Sequence, residues 1–235
     1  MGERRQLGPS TSKHLSGIEP FLIVPVGSTE QHGPHLPLDT DTRIATAVAG
    51  ELARQLRENS IVAPAIAYGS SGEHQGFAGT ISIGTETLTA VLVEYGRSAC
   101  DWAHRLVFVN GHGGNLDALR AAVALLRTEG RDVAWCSCSI TGADAHAGHV
   151  ETSVLLHLSP EAVLTDQLAA GNTEPLGDLM PRLRDGGIVA VSKSGVLGDP
   201  TTATAEAGER MFVAMVTDCC ARVQRWTPGP DGMLA

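Results

Sequence analysis

Glu30 and His32 flank a single glutamine, Asp41 follows nine residues after His32, and His112 sits inside the run Asn110-Gly111-His112-Gly113-Gly114-Asn115. Carboxylate oxygen and imidazole nitrogen are donors that suit zinc, manganese or ferrous iron, and one carboxylate can bridge two such ions. Such ions would support hydrolysis, by activating water near neutral pH and polarising a carbonyl. Spacing alone also admits a blander reading, with Glu30 and His32 as solvated loop residues and Asp41 as a helix cap.

These residues need elements to bring them together. Residues 21–27 (FLIVPVG) form a short apolar run closed by Pro and Gly, the pattern of a buried strand. The polar stretch 28–35 is loop, because Pro34 and Pro37 keep it from becoming helix. Ile44, Val48, Leu52 and Leu56 then mark a helix from Asp41 to near Asn59. Residues 106–109 repeat the logic as strand, 111–114 as tight turn and 115–126 as helix. Further strands are expected at 61–66 and 132–138. Parallel α/β sheets bind ligands outside the carboxyl ends of their strands, so loops distant in sequence can converge there.

A third strand end carries His146, His149 and Glu151 in the segment HAGHVETS, ahead of an apolar helix at 154–158. With GSTEQHGPHLPLDTD and NGHGGN, in that order, the chain resembles the creatininase family of amidohydrolases over roughly residues 20–160. The resemblance implies a three-layer α/β/α sandwich with a mainly parallel sheet, and the alternating strand and helix patterns agree. It also implies two divalent ions per subunit, of ferrous iron, zinc or manganese, and assembly as a homo-oligomer.

Carried over position by position, the resemblance assigns Glu30, Asp41 and His112 to one metal, and His32 with the bridging Asp41 to the second. Creatininase completes its second site with a glutamate two residues after the NGH histidine, where this chain has Gly114. Glu151 is the expected replacement. Its alternative role is that of an acidic residue in a helix's first turn, favourable to the helix dipole. His146 matches the family's catalytic histidine, suited to protonating a leaving nitrogen or stabilising an oxyanion. Glu73 and His74 resemble the family's EHxxFPGT loop, with Ala78 in place of the proline, and are expected to border the substrate together with Gly113. His35 and His149 are candidates for orienting a ligand by hydrogen bond.

Gly113 stands where creatininase has an aromatic wall residue, and only a short link joins the strand at 132–138 to His146. A more open, less aromatic mouth could admit a peptide end. Among branches of the family, the chain most resembles the peptidase branch of mycofactocin biosynthesis, which implies cleavage of a modified precursor peptide near its C-terminus to release a cyclised Val-Tyr-derived unit. The alternatives are a small-molecule amidohydrolase, acting on creatinine or on a formamidopyrimidine, and a metal-binding scaffold without catalysis.

Composition bounds the rest. At 235 residues and 43% hydrophobic content, one domain spanning 1–235 can bury a sizeable core, and with 4% aromatics Ala, Val and Leu must fill it. A formal charge of −9 offers no basic surface to nucleic acid. No run approaches a membrane span and the N-terminus lacks a signal-like apolar core, so a cytoplasmic protein is expected. Five cysteines at irregular spacing read as buried small hydrophobes rather than disulfides; Cys136 and Cys138 should share one face of a strand. Residues 171–175 and 184–187 read as surface connections, 195–207 as the loop before a last helix at 209–226, and 227–235 as a poorly ordered tail.

Overall fold

The computed structural model describes residues 6–56 and 59–235. Four parallel strands, β1 (Phe21–Val26), β2 (Ser60–Val62), β3 (Arg105–Asn110) and β4 (Val133–Ser137), lie in the order β2-β1-β3-β4. The helices are α1 (Ser12–Leu15), α2 (Thr40–Gln55), α3 (Thr85–Ala99), α4 (Leu116–Thr128), α5 (His149–Leu158), α6 (Leu176–Gly186) and α7 (Ala205–Arg225), with short 3-10 turns between them. The expected three-layer α/β sandwich with a parallel sheet is the observed fold.

Every residue of β1 is buried, as a central parallel strand covered on both faces requires. Its side chains alternate between two cores. Phe21 and Ile23 join α2, α5 and α7 on one side, where Ile44, Val48, Leu52, Val154 and Val216 pack. Leu22, Val24 and Val26 join α3 and α4 on the other, against Leu88, Leu92, Leu119, Phe108 and Trp135. Pro25 cannot donate to a ladder, yet it costs none here, because β2 pairs only with residues 21–23 and has ended at that level.

Several boundaries differ from expectation for physical reasons. The strand expected at 61–66 stops at Val62; Pro64 interrupts it, and Ile66 regains a single bridge to Val26. Helix α2 ends at Gln55, short of Asn59, with 57–58 outside the described residues. Residues 184–186 belong to α6, which absorbs Pro181, rather than to a connection. Helix α5 begins five residues earlier than expected, at His149, because the Asp144 carboxylate accepts hydrogen bonds from the His149 and Val150 amides. Helix α7 starts at Ala205, where the Thr204 hydroxyl caps the Ala207 amide.

The tail corrects its expectation most clearly. Leu234 is fully buried, the Trp135 amide donates to Gly232 O at 3.0 Å, and the Leu234 amide donates to Trp135 O at 2.9 Å. The chain end thereby covers the free edge of β4. Cys136 and Cys138 do face one core, and all five cysteines are free thiols. The N-terminal reading rests partly on residues 1–5, outside the described residues; among those described, no helix is long and apolar enough to cross a membrane.

Leu234→Ala should lower unfolding free energy by about 2–4 kcal/mol through the cavity it leaves. Urea denaturation checks this, and an unchanged midpoint would show that the tail adds nothing to the edge.

Candidate metal centre

The chemistry lies on loops leaving the carboxyl ends of the strands and in the first turns of the helices that follow them. After β1, the loop at residues 27–39 folds back on itself: the Glu30 amide donates to Leu38 O at 3.0 Å and His32 bridges Leu36. After β3, the two asparagines of NGHGGN brace the turn. Asn110 Nδ2 donates to His112 O at 2.7 Å, while Asn115 Nδ2 donates to Gly27 O at 2.9 Å and its Oδ1 accepts from the Ser70 amide at 3.0 Å. Three loops are thus tied together by one amide side chain. Gly111 is required by close approach, since a Cβ there would lie 2.4 Å from Asp41 O.

Asp41 stands in the first turn of α2 and caps nothing; Asp39 holds the N-cap position. Its Oδ2 accepts from the Ser28 hydroxyl at 2.7 Å and lies 3.2 Å from His112 Nδ1, and its Oδ1 lies 3.2 Å from His32 Nε2. Glu30 Oε2 is 3.2 Å from His112 Nε2. Donors held about 2.1 Å from one ion sit about 3.0–3.5 Å from each other. These spacings therefore suit a metal as well as they suit hydrogen bonds. Glu30 favours the metal: it is fully buried, and neither carboxylate oxygen receives an aligned hydrogen bond, although His74 Nε2 lies 3.1 Å from Oε1. A buried carboxylate whose neighbours are not aligned to donate is costly unless something else compensates it.

The electrostatics sort the groups. Burial pushes the Glu30 carboxyl up to about 7, with the charge of Asp41 adding to it against the pull of His112. Burial also opposes charge on Asp41, yet His32 and His112 beside it hold its carboxyl well below the usual range. Both histidines are driven the other way: against burial, Asp41 carries His32 to about 10, and Glu30 with Asp41 carries His112 to about 10. Burial and the charges of His112 and His32 depress His74 to about 3.

Glu151 reaches the same cluster. Its Oε2 lies 3.9 Å from His32 Nε2 and accepts from the Ala147 amide at 2.6 Å, so it serves its own helix start while facing His32. Ala147 holds a left-handed φ of 52°, which turns the backbone between His146 and α5. His146 is buried, its ring 4.3 Å from that of His32 and 4.4 Å from that of His74. Donor atoms of Glu30, His32 and Asp41, of His32, His146 and Glu151, and of Glu30, His74 and His146 each fall within 4.8 Å of one another.

Gln31 is the functional residue that motif reading passed over. Its Nε2 contacts His74 Nδ1 at 2.9 Å, Gly195 O at 3.2 Å and His146 Nε2 at 3.1 Å. An amide has two protons, so the closest carbonyl decides the tautomer of His146: its Nε2 proton goes to Gln31 O at 2.8 Å. Nδ1 is left with a free lone pair, 4.0 Å from Glu30 Oε1. The only signal in sequence was its place between Glu30 and His32.

His74 is buried against Glu30, while Glu73 remains one-third exposed, 3.6 Å from His112 Nε2. Glu73, His74 and Gly113 all line the cavity. His35 Nε2 meets the Thr152 hydroxyl at 2.9 Å and so ties the His32 loop to α5, whereas His149 turns away to Thr202 at 2.8 Å. Gly114 is closed to any side chain: a Cβ would lie 2.2 Å from Ser70 O, 2.4 Å from His112 Nε2 and 2.7 Å from Glu73 Oε1.

The cluster floors a cavity of about 690 Å³ lined by Asp41, His112, His146 and Glu151. A parallel α/β sandwich whose strand ends bring carboxylates and imidazoles together beneath a cavity makes a candidate metal centre. The chain belongs to the creatininase family, whose profile, described as creatinine amidohydrolase, matches residues 11–223. A curated relative from Mycolicibacterium smegmatis, named mycofactocin precursor peptide peptidase, is 63% identical over 97% of this chain and 94% of its own. A solved manganese creatininase superposes with a TM-score of 0.78 at 26% identity, covering 96% of this chain and 99% of that one. A zinc–zinc creatininase mutant gives 0.77 at 26% identity, covering 95% and 98%.

Two outcomes follow. Raising the Glu30 carboxyl from 4.5 to about 7 gives the metal-free fold a stability contribution complete below pH 4.5 and lost as pH rises through 7. Chelated Glu30→Gln should therefore be more stable than the chelated parent at pH 8, by about 1–3 kcal/mol, while binding less metal; a less stable chelated variant would contradict this account. Gly114→Glu should not recreate the creatininase ligand but displace His112 and lower metal content, read by elemental analysis of the folded variant.

Proposed function

We propose that this chain is a metal-dependent peptidase that hydrolyses the modified mycofactocin precursor peptide near its C-terminus, releasing the cyclised Val-Tyr-derived unit. The near end-to-end identity with the mycobacterial peptidase carries the reading. The open mouth of the cavity, with Gly113 where creatininase has an aromatic residue, supports a peptide end over a small ring.

Glu30, Asp41 and His112 would hold one divalent ion; His32, the shared Asp41 and Glu151 would hold the other. The Glu30 oxygens, which receive no aligned hydrogen bond among the described residues, and the mixed nitrogen and oxygen donors fit ferrous iron, zinc or manganese. When bound, such ions lower the pKa of water toward neutrality and polarise a scissile carbonyl.

His146 moves the proton. Burial keeps its imidazole neutral, and Gln31 O fixes the Nε2 proton, so Nδ1 keeps the lone pair of a base. It takes a proton from the attacking water at Nδ1 and gives it to the leaving nitrogen, as a single group can in the two halves of amide hydrolysis. Gln31 keeps the ring from rotating. Glu73, beside His112 at the cavity wall, orients the peptide by accepting from its amides. Assembly as a homo-oligomer in the cytoplasm belongs to the same proposal, and sedimentation of the purified chain as a monomer would remove the first part.

Anaerobically purified protein, reconstituted separately with ferrous iron, zinc and manganese, is to be assayed by mass spectrometry against the modified precursor, with creatinine as control. The expected result is release of the Val-Tyr-derived product, abolished in Glu30→Ala. His146→Ala should retain metal and lose about 10²–10⁴-fold in turnover. Opening of creatinine with no peptide cleavage would overturn the substrate, and unchanged turnover in His146→Ala would overturn its role.

A further inference from the structure

Helix α6 packs chiefly on the turns at Gly72–His74 and Ile188–Ala190, outside both faces of the sheet. One side of it is anchored: Leu179 is buried with Ile188 and Leu197 in a small apolar cluster, flanked by Phe77, Leu183 and Val191. An adjoining side carries Leu176, Met180 and Leu183, spaced i, i+4 and i+7 as one stripe of a helix. All three line the cavity that His146 and Glu151 floor. Leu176 is 47% exposed there, a large apolar side chain with neither core to cover it.

The floor and the wall ask for different chemistry. Asp41, Glu73 and Glu151 make the floor acidic, and the stripe with Leu116 and Leu197 makes most of the wall apolar, with Arg184 of the same helix beside it. At about 690 Å³ the cavity falls within the range that holds ligands much larger than a single small ring. A substrate that placed only its reacting amide at the floor would leave the stripe wet. Filling it needs an apolar group continuous with that amide.

We propose that Leu176, Met180 and Leu183 form a specificity subsite that takes a bulky apolar side group adjoining the scissile amide. This rests on the peptidase reading and names the part of the peptide the site selects. Burial of that group against the stripe contributes by removing apolar surface from water on both sides. Met180, unbranched and polarizable, lets the wall adapt to an aromatic or a branched outline. Because Leu179 and Leu183 hold α6 to its small apolar cluster, Leu176 and Met180 can be altered without opening either core.

The test crosses enzyme and substrate. Leu176→Ser and Met180→Ser, singly and together, are to be assayed with two peptides, one carrying a bulky apolar group next to the scissile bond and one carrying alanine there. Metal content and melting temperature confirm that each variant is folded and loaded. The double variant should raise KM for the bulky peptide about 10–100-fold more than for the alanine peptide, with kcat for the bulky peptide changed far less. Inhibition by the released bulky product, which measures binding without turnover, should weaken by a similar factor. Equal losses on both peptides, or no loss on either, would overturn the subsite while leaving peptidase activity standing. If the parent enzyme cleaves neither peptide, the peptidase reading falls and the subsite with it.

Discussion

A buried aspartate clasped by two imidazoles governs this structure. Asp41 is 2% exposed, and each of its carboxylate oxygens faces a histidine that is itself buried. An isolated charge in such a place would cost far more than the fold could supply, so its compensation has to be built in. That requirement reaches outward. His112 must come from the loop after β3 and His32 from the loop after β1, so those loops must touch at the head of α2. They do so through Gly111 against Asp41 O, through the Ser28 hydroxyl, and through Asn115 bonding to both Gly27 and Ser70. Parallel pairing of β1 with β3 over six residues sets the level at which the loops emerge. A slip in that register would separate the histidines from the carboxylate they neutralise.

Glu30 shows the opposite arrangement within the same cluster. Its oxygens have near neighbours but no aligned donor, and burial lifts its carboxyl to about 7 while Asp41 is held far below the ordinary range. Two carboxylates pushed apart in this way have different work. Asp41 is neutralised by the protein itself, whereas on the proposed assignment a cation would neutralise Glu30. Metal binding at that site would then couple stability to loading.

The strands and helices that place the site were legible because their signals are local. FLIVPV is apolar without alternation, as a central parallel strand must be, and each chemistry-bearing motif follows such a run. Glu30, His32, Asp41, His112, His146 and Glu151 could be nominated for the same reason: their types and neighbours are visible one segment at a time. What the sequence hid was pairing at a distance. Gln31 looks like any polar loop residue until His74, His146 and Gly195 are brought around its amide. His74 could be placed beside a substrate, but its contact with Glu30 shows only once the turn at Gly72–His74 is folded. The tail, polar and rich in Gly and Pro, gave no sign that Leu234 and Met233 would seal the edge of β4. In each case the deciding contact spans many tens of residues and leaves no periodic trace.

Gly114 joins the metal question to the substrate question. The space a glutamate would need there is filled by Ser70 O and by the carboxylate of Glu73, so the turn at Gly72–His74 has replaced a ligand side chain with a loop. That same turn delivers His74 to Glu30 and is one of the two surfaces on which α6 rests. Gly187, at the end of α6 with φ of 66°, approaches the Glu73 backbone so closely that a Cβ would stand 2.7 Å from Glu73 O. The apolar wall and the acidic floor are therefore braced against one another through three consecutive residues. A change that tightened the wall would press on Glu73 and His74, and through them on Glu30 and His112. Wall and floor thus rest on one turn, so the apolar side of the cavity and the carboxylates below it are placed by the same three residues.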